Sequence, residues 1–149
     1  MRSGAAAGER WSVGRSHMAH LVSFRTTKFD VRAEEPNPIN PIAGQSVLNW
    51  LRGELAKAQY TVTEPGAEDW GWYVDVRGNG ASYLVGASAD AESSPPDAEW
   101  IIQVHKHRSL KEKILAQNKM TVDDSLVALI ERIVRADPQI AEVSVERDT

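Results

Sequence analysis

Tyr73, Asp75, Gln103 and His105 are the side chains whose types and spacing suit chemistry in this chain. Tyr73 and Asp75 lie two apart, as do Gln103 and His105, and in β-strands residues two apart share a face. A phenol, a carboxylate, an amide and an imidazole on one wet sheet face form a set for acid–base work or for holding a polar ligand. The plainer reading of the same set is an ordinary solvated sheet face. His105 and His107 also project together, which is how a metal site begins. Lys106 and Arg108 beside them disfavour a cation, and no third ligand follows by spacing, so no metal and no cofactor are expected. Glu64, Glu68 and Asp69 cluster around Pro65-Gly66. Paired carboxylates share a proton or bind a cation in some sites, but beside a turn dipeptide a solvated acidic loop is the expectation. One basic cluster, Lys106, His107, Arg108, Lys111 and Lys113, is weighed as an anion or RNA contact against a solvated face.

Composition narrows the classes. The 149 residues suit one domain with a tail, and no run of apolar residues is long enough for a membrane-spanning helix. There is no cysteine, which removes disulfides, thiolate catalysis and cysteine-ligated zinc, and is compatible with a cytoplasmic location. Net charge is −4; residues 1–17 carry +2, leaving −6 on the remainder. An acidic domain is a poor default partner for nucleic acid, whose binding is dominated by phosphate neutralisation. No Gly-rich phosphate loop, Gly-x-Ser-x-Gly elbow or His-Glu-x-x-His occurs, which argues against an enzyme.

The elements that must position these residues are legible from periodicity. Residues 1–17 read as a disordered tail, with residues 18–149 as a single domain and Met18 as its start. A strand is expected from His20 to Val31. Two tandem Asn-Pro-Ile units, Asn37 to Ile42, then make a stiff, non-helical connector. Leu48, Leu51, Leu55 and Ala58 form one stripe of a helix over about 44–59. Residues 60–63 form a short strand. Asn79-Gly80 is a two-residue hairpin turn, which sets Trp72 opposite Ala87, Val74 opposite Val85 and Val76 opposite Tyr83. Trp70, Trp72, Val74 and Val76 then face the core, and Tyr73 and Asp75 face water. Glu99 to Arg108 is a strand with Trp100, Ile102 and Val104 on the core parity. Ser109 and Glu112 cap a short helix over 110–116. A last helix over 122–136 carries the stripe Leu126, Leu129, Ile130 and Ile133, and residues 141–146 alternate as a final strand. The expected fold is α+β, a mainly antiparallel sheet of five to six strands with two to three helices on one face.

The combination of Asn-Pro-Ile, Gly44, Trp50-Leu51, Glu68-Asp69-Trp70-Gly71-Trp72 and Tyr83-Leu84-Val85-Gly86 resembles a set of small bacterial α+β proteins to which no activity is attached. The likeness covers about residues 20–146 and implies a bacterial single domain, with no catalytic residues to transfer. The function expected from all of this is a cytoplasmic protein-interaction or regulatory module, of the toxin-neutralising kind. Its acidic contact surface would be built from the 34–42, 64–69 and 90–98 loops, with Asn37, Asn40, Glu64, Glu68 and Asp69 facing a basic protein partner. The alternative is a ligand-binding or enzymatic domain using Tyr73, Asp75, Gln103 and His105.

Overall fold

The computed structural model describes residues 20–89, 98–107, 115, 120–121 and 123–147. The expected tail, the 110–116 helix apart from Leu115, and most of the 90–98 loop lie outside these residues.

The chain runs β1 (His20–Thr26), a 3-10 turn (Val31–Ala33), α1 (Gln45–Lys57), β2 (Thr61–Val62), β3 (Gly66–Glu68), β4 (Gly71–Gly78), β5 (Ala81–Ala89), β6 (Ala98–His107), α2 (Ser125–Ala136) and β7 (Ile140–Arg147). The strands form one seven-stranded sheet in the order β2-β4-β5-β6-β1-β7, with β3 also paired to β4. Every pairing is antiparallel. The fold is thus α+β. The strand beyond the expected number is β3, three residues read from sequence as loop because the Pro65-Gly66 turn dipeptide runs into its first residue.

The hairpin register is the expected one. Asn79 and Gly80 take φ of 53° and 75°, the left-handed pair that a type I′ turn needs. Trp72 pairs with Ala87, Val74 with Val85 and Val76 with Tyr83. Alternation then separates two sheet faces. Val22, Phe24, Trp72, Val74, Val76, Tyr83, Val85, Ala87, Trp100, Ile102 and Val104 are buried on the inner face. There they meet Val47, Leu48, Leu51 and Leu55 of α1, and Leu126, Val127, Ile130 and Val134 of α2, in one core. Each such side chain contributes roughly 1.5–3 kcal/mol on burial. The α2 stripe is rotated from the sequence expectation: Val127 and Val134 are buried, while Leu129 and Ile133 pack only partly against the core. In α1, Leu48, Leu51 and Leu55 are buried as expected, whereas Ala58 lies just past the helix end and is exposed.

Helix α1 ends in a left-handed residue, Gln59 at φ 74°, with Tyr60 N–H bonded back to Leu55 O at 3.1 Å and Gln59 N–H to Ala56 O at 3.0 Å. This is a Schellman closure, and Tyr60 is buried after it. Its first turn is capped from a distance. Gly44 has no side chain to offer, and Glu34 reaches in from the preceding connector to accept Gly44 N–H at 3.0 Å and Ser46 N–H at 2.8 Å. A carboxylate at this end also suits the helix dipole. No described helix is long and apolar enough to cross a membrane.

Trp70 departs from its expected place. The sequence puts it on the core face with Trp72, two residues on. Strand β4 begins only at Gly71, whose φ of 149° breaks the alternation. Trp70 therefore lies on the outer face, against Gly86: a methyl placed on Gly86 would sit 2.4 Å from Trp70 Cη2 and 3.1 Å from Gln103 Cγ. Gly71 itself lies so close to Ala87 O that no larger residue fits there.

Candidate functional site

The outer sheet face carries the expected polar set, but the set divides. Gln103 and His105 are together, with imidazole Nε2 2.8 Å from the amide Oε1. An amide oxygen only accepts, so Nε2 is the donor. Asp75 is instead 3.9 Å from His107 Nε2, an exposed pair. In register, Leu84 stands between Asp75 and His105, and Gly86 stands between Tyr73 and Gln103. The expected convergence of Tyr73, Asp75, Gln103 and His105 on one point is not what the sheet builds. Strands lie about 4.8 Å apart, so the members two strands distant begin almost 10 Å apart at the backbone. Gln103 is buried, at 5% exposure, although it faces outward, and the Trp70 ring lies beside it above Gly86. Tyr73 is half-buried and lies against Gly66 of β3.

The acidic loops are brought together. The Asn37 side chain joins the proline connector to the turn before β4. Its Oδ1 accepts Ile39 N–H at 2.9 Å and Asn40 N–H at 3.1 Å, an Asx-type turn around Pro38. Its Nδ2 donates to Glu68 O at 3.0 Å and Gly71 O at 2.9 Å, with a long third contact to Ile42 O at 3.5 Å. Asn40 Nδ2 adds a bond to Asp69 O at 2.7 Å. Ile42 N–H closes on Asn40 O across Pro41 at 2.6 Å. Prolines 38 and 41 have no N–H to satisfy. Every backbone donor from 38 to 42 is thereby bonded inside the loop. The tandem Asn-Pro-Ile units are a staple: proline fixes the backbone and asparagine ties it to residues 68–71. Asn37 and Asn40, expected to face a partner, are scaffold residues whose amides are occupied within the protein.

The carboxylates on this staple are not occupied. Glu64 and Asp69 are exposed and Glu68 is half-buried. None of the three has a side-chain hydrogen bond or ion pair among the described residues. No three histidine, aspartate or glutamate side chains there gather as metal ligands. Residues 33–51 and 58–76, which supply both loops, contain no lysine, arginine or histidine, whereas they hold Glu34, Glu35, Glu64, Glu68, Asp69 and Asp75.

A second polar centre, on the inner face, was not singled out from sequence. Asp124, 4% exposed, accepts Leu126 N–H at 2.9 Å and Val127 N–H at 3.4 Å as the N-cap of α2. Its other oxygen accepts Tyr83 Oη–H at 3.0 Å and pairs with Lys106 Nζ at 3.1 Å. Lys106 also lies over the Tyr83 ring, 5.5 Å from its centroid. Burial first, and then the Asp124 carboxylate, hold the Tyr83 phenol far above its usual range, so it stays a donor. Fully buried His20 donates from Nε2 to Thr121 O at 2.7 Å nearby. Lys106 thus points inward, and of the expected basic cluster only His107 is described on the outer face. Parity was the available signal: Lys106 continues the Trp100, Ile102, Val104 series, and His20 precedes Val22 and Phe24.

Comparison with protein-family models, curated proteins and solved structures returns no match.

Proposed function

We propose that the chain is a small binding and regulatory protein, of the toxin-neutralising kind, that takes a basic protein partner on the surface made by its 34–42 and 64–71 loops. The observation that supports this is the staple. Asn37 and Asn40 use side-chain amides to lock two loops distant in sequence, and the locked surface presents carboxylates with no partner among the described residues. A loop ordered before binding loses less entropy on association. Charges of one sign at its rim steer an oppositely charged partner and reject like-charged ones.

The reading predicts salt-sensitive association. Immobilised wild-type chain and the double variant Glu68→Lys, Asp69→Lys are exposed to extract of the source cell at about 50 and about 500 mM salt, between which the screening length shrinks severalfold. Support is one protein held by the wild type at low salt, released at high salt and not held by the variant. A wild-type chain that holds nothing in either condition, or a variant that holds the same protein equally well, overturns it.

A further inference from the structure

The geometry points to Ile39 as the anchor residue of this surface, and to a partner that offers an apolar pocket rimmed by lysine or arginine; this rests on the binding reading above. Ile39 is 58% exposed, and Leu115 is the only other large apolar side chain so exposed among the described residues. A single exposed isoleucine is ordinary on a protein surface. Here its setting is not ordinary. Pro36, Pro38 and Pro41 around it are exposed as well, so the tip of the connector is an apolar prow. The backbone behind the prow has no free donor: Ile39 and Asn40 N–H are taken by Asn37 Oδ1, and Ile42 N–H by Asn40 O. The prow is fastened to the turn that carries Glu68 and Asp69 by Asn40 Nδ2 on Asp69 O.

A rigid β-branched side chain on a hydrogen-bonded loop is costly to leave in water and cheap to bury in a pocket, because little freedom remains to be lost. Interfaces concentrate their energy in such central apolar anchors, ringed by polar contacts that exclude water. The charge around this anchor decides the partner. Half-buried Glu68 and exposed Asp69 lie on the turn tied to Asn37 and Asn40 on either side of Ile39, exposed Glu35 precedes Ile39 by four residues, and the flanking segments hold no cationic side chain. The complementary surface is therefore an apolar pocket with a basic rim on another protein. A nucleic acid fits neither the charge nor the isoleucine.

The chain has no cysteine, so Ile39→Cys gives a unique thiol for a benzophenone maleimide, with Arg132→Cys on the exposed face of α2 as control. In the extract, light is expected to join the position-39 probe to the same salt-released protein that the wild type holds. The joined peptide should carry apolar residues beside lysine or arginine, and the position-132 probe should not react with that protein. In titrations with that protein, Ile39→Ala should weaken binding by about tenfold or more. Ile39→Val should stay within a few-fold, and Ile39→Asp should abolish binding. Circular dichroism and melting of each variant should match the wild type, since the side chain is exposed. If Glu68→Lys, Asp69→Lys loses the partner while Ile39→Ala and Ile39→Asp keep it, the binding reading stands and the anchor is wrong. If no salt-sensitive partner exists, both fall.

Discussion

Asp124 and Asn37 are two short polar side chains that do the same kind of work in opposite places. Asp124 gathers backbone and side-chain groups, and Asn37 backbone groups, from segments far apart in sequence. Asp124 sits under α2 and joins the helix start to Tyr83 of β5 and Lys106 of β6. Asn37 sits at the rim and joins the proline connector to the turn at 68–71. Around Asp124 every charge has its counter-charge inside the protein. Around Asn37 the carboxylates of Glu68 and Asp69 have no partner among the described residues. The first network is closed and serves the fold; the second is closed in its backbone and open in its charges, which is the arrangement expected of a surface kept ready for another molecule.

Breaking the two nodes should therefore cost different things. Asp124→Ala removes the cap, orphans Tyr83 and leaves Lys106 charged and 13% exposed. Loss of one partner of a buried pair costs about 3–5 kcal/mol, measurable as a fall in the denaturant midpoint. Tyr83→Phe leaves the pair and the cap intact and should cost only about 1 kcal/mol. Equal losses in the two variants would show that Asp124 is not a node.

Gly86→Ala tests the region between the networks. Its methyl meets Trp70 Cη2 at 2.4 Å, so the indole must leave its place over position 86. Overpacking of this kind costs about 1–3 kcal/mol. The Trp70 indole resonance should move, while those of buried Trp72 and Trp100 on the other face stay.

Asn37→Ala should lower stability less, by about 0.5–2 kcal/mol, because the released groups are near water and few hydrogen bonds are lost net. Asn37→Asp sharpens the point. It keeps the acceptor for Ile39 and Asn40 but has no amide to donate to Glu68 O and Gly71 O. It should preserve the turn around Pro38 and still detach the two loops.

The smallest effect is expected with acid. Hydrogen bonds from Arg135 and Arg147 hold the Glu131 carboxyl below its ordinary 4.5, and the bond from Lys28 holds Asp137 below 3.8. Both groups have a lower pKa folded than unfolded. Their contribution is complete above the ordinary values and is lost as pH falls through the depressed ones. Melting temperature should thus fall on acidification below about pH 4.5, and Glu131→Gln and Asp137→Asn should each show a shallower fall.

What was legible in the sequence follows the period of the strands. Alternation placed Trp72, Val74, Val76, Trp100, Ile102 and Val104 inward and Asp75 outward, because nothing interrupts β4 or β6 between them. Trp70 was misplaced because that rule was carried across Gly71, where the backbone turns. Asp124 was taken into a helix expected from 122, although aspartate before an apolar run is a cap signal and α2 starts only at Ser125. Glu34 was not legible as a cap, because it reaches α1 from across a proline loop and no local pattern marks such a contact. Lys106 was read as solvated from its charge, although its parity pointed inward. The acidic loops were recognised by composition and expected to share one surface, but the means of joining them was not legible: it rests on three-dimensional contacts of two asparagine amides with backbone carbonyls roughly thirty residues away.

Amide hydrogen exchange of the free protein, wild type against Asn37→Ala, tests the preorganised surface most directly. The account predicts measurable protection at Ile39, Asn40 and Ile42 in the wild type, with no partner present. In the variant, protection at Ile39 and Asn40 should disappear while β5 and β6 keep theirs. Exchange at Ile39, Asn40 and Ile42 as fast as in an unstructured peptide, in the wild type itself, would contradict it.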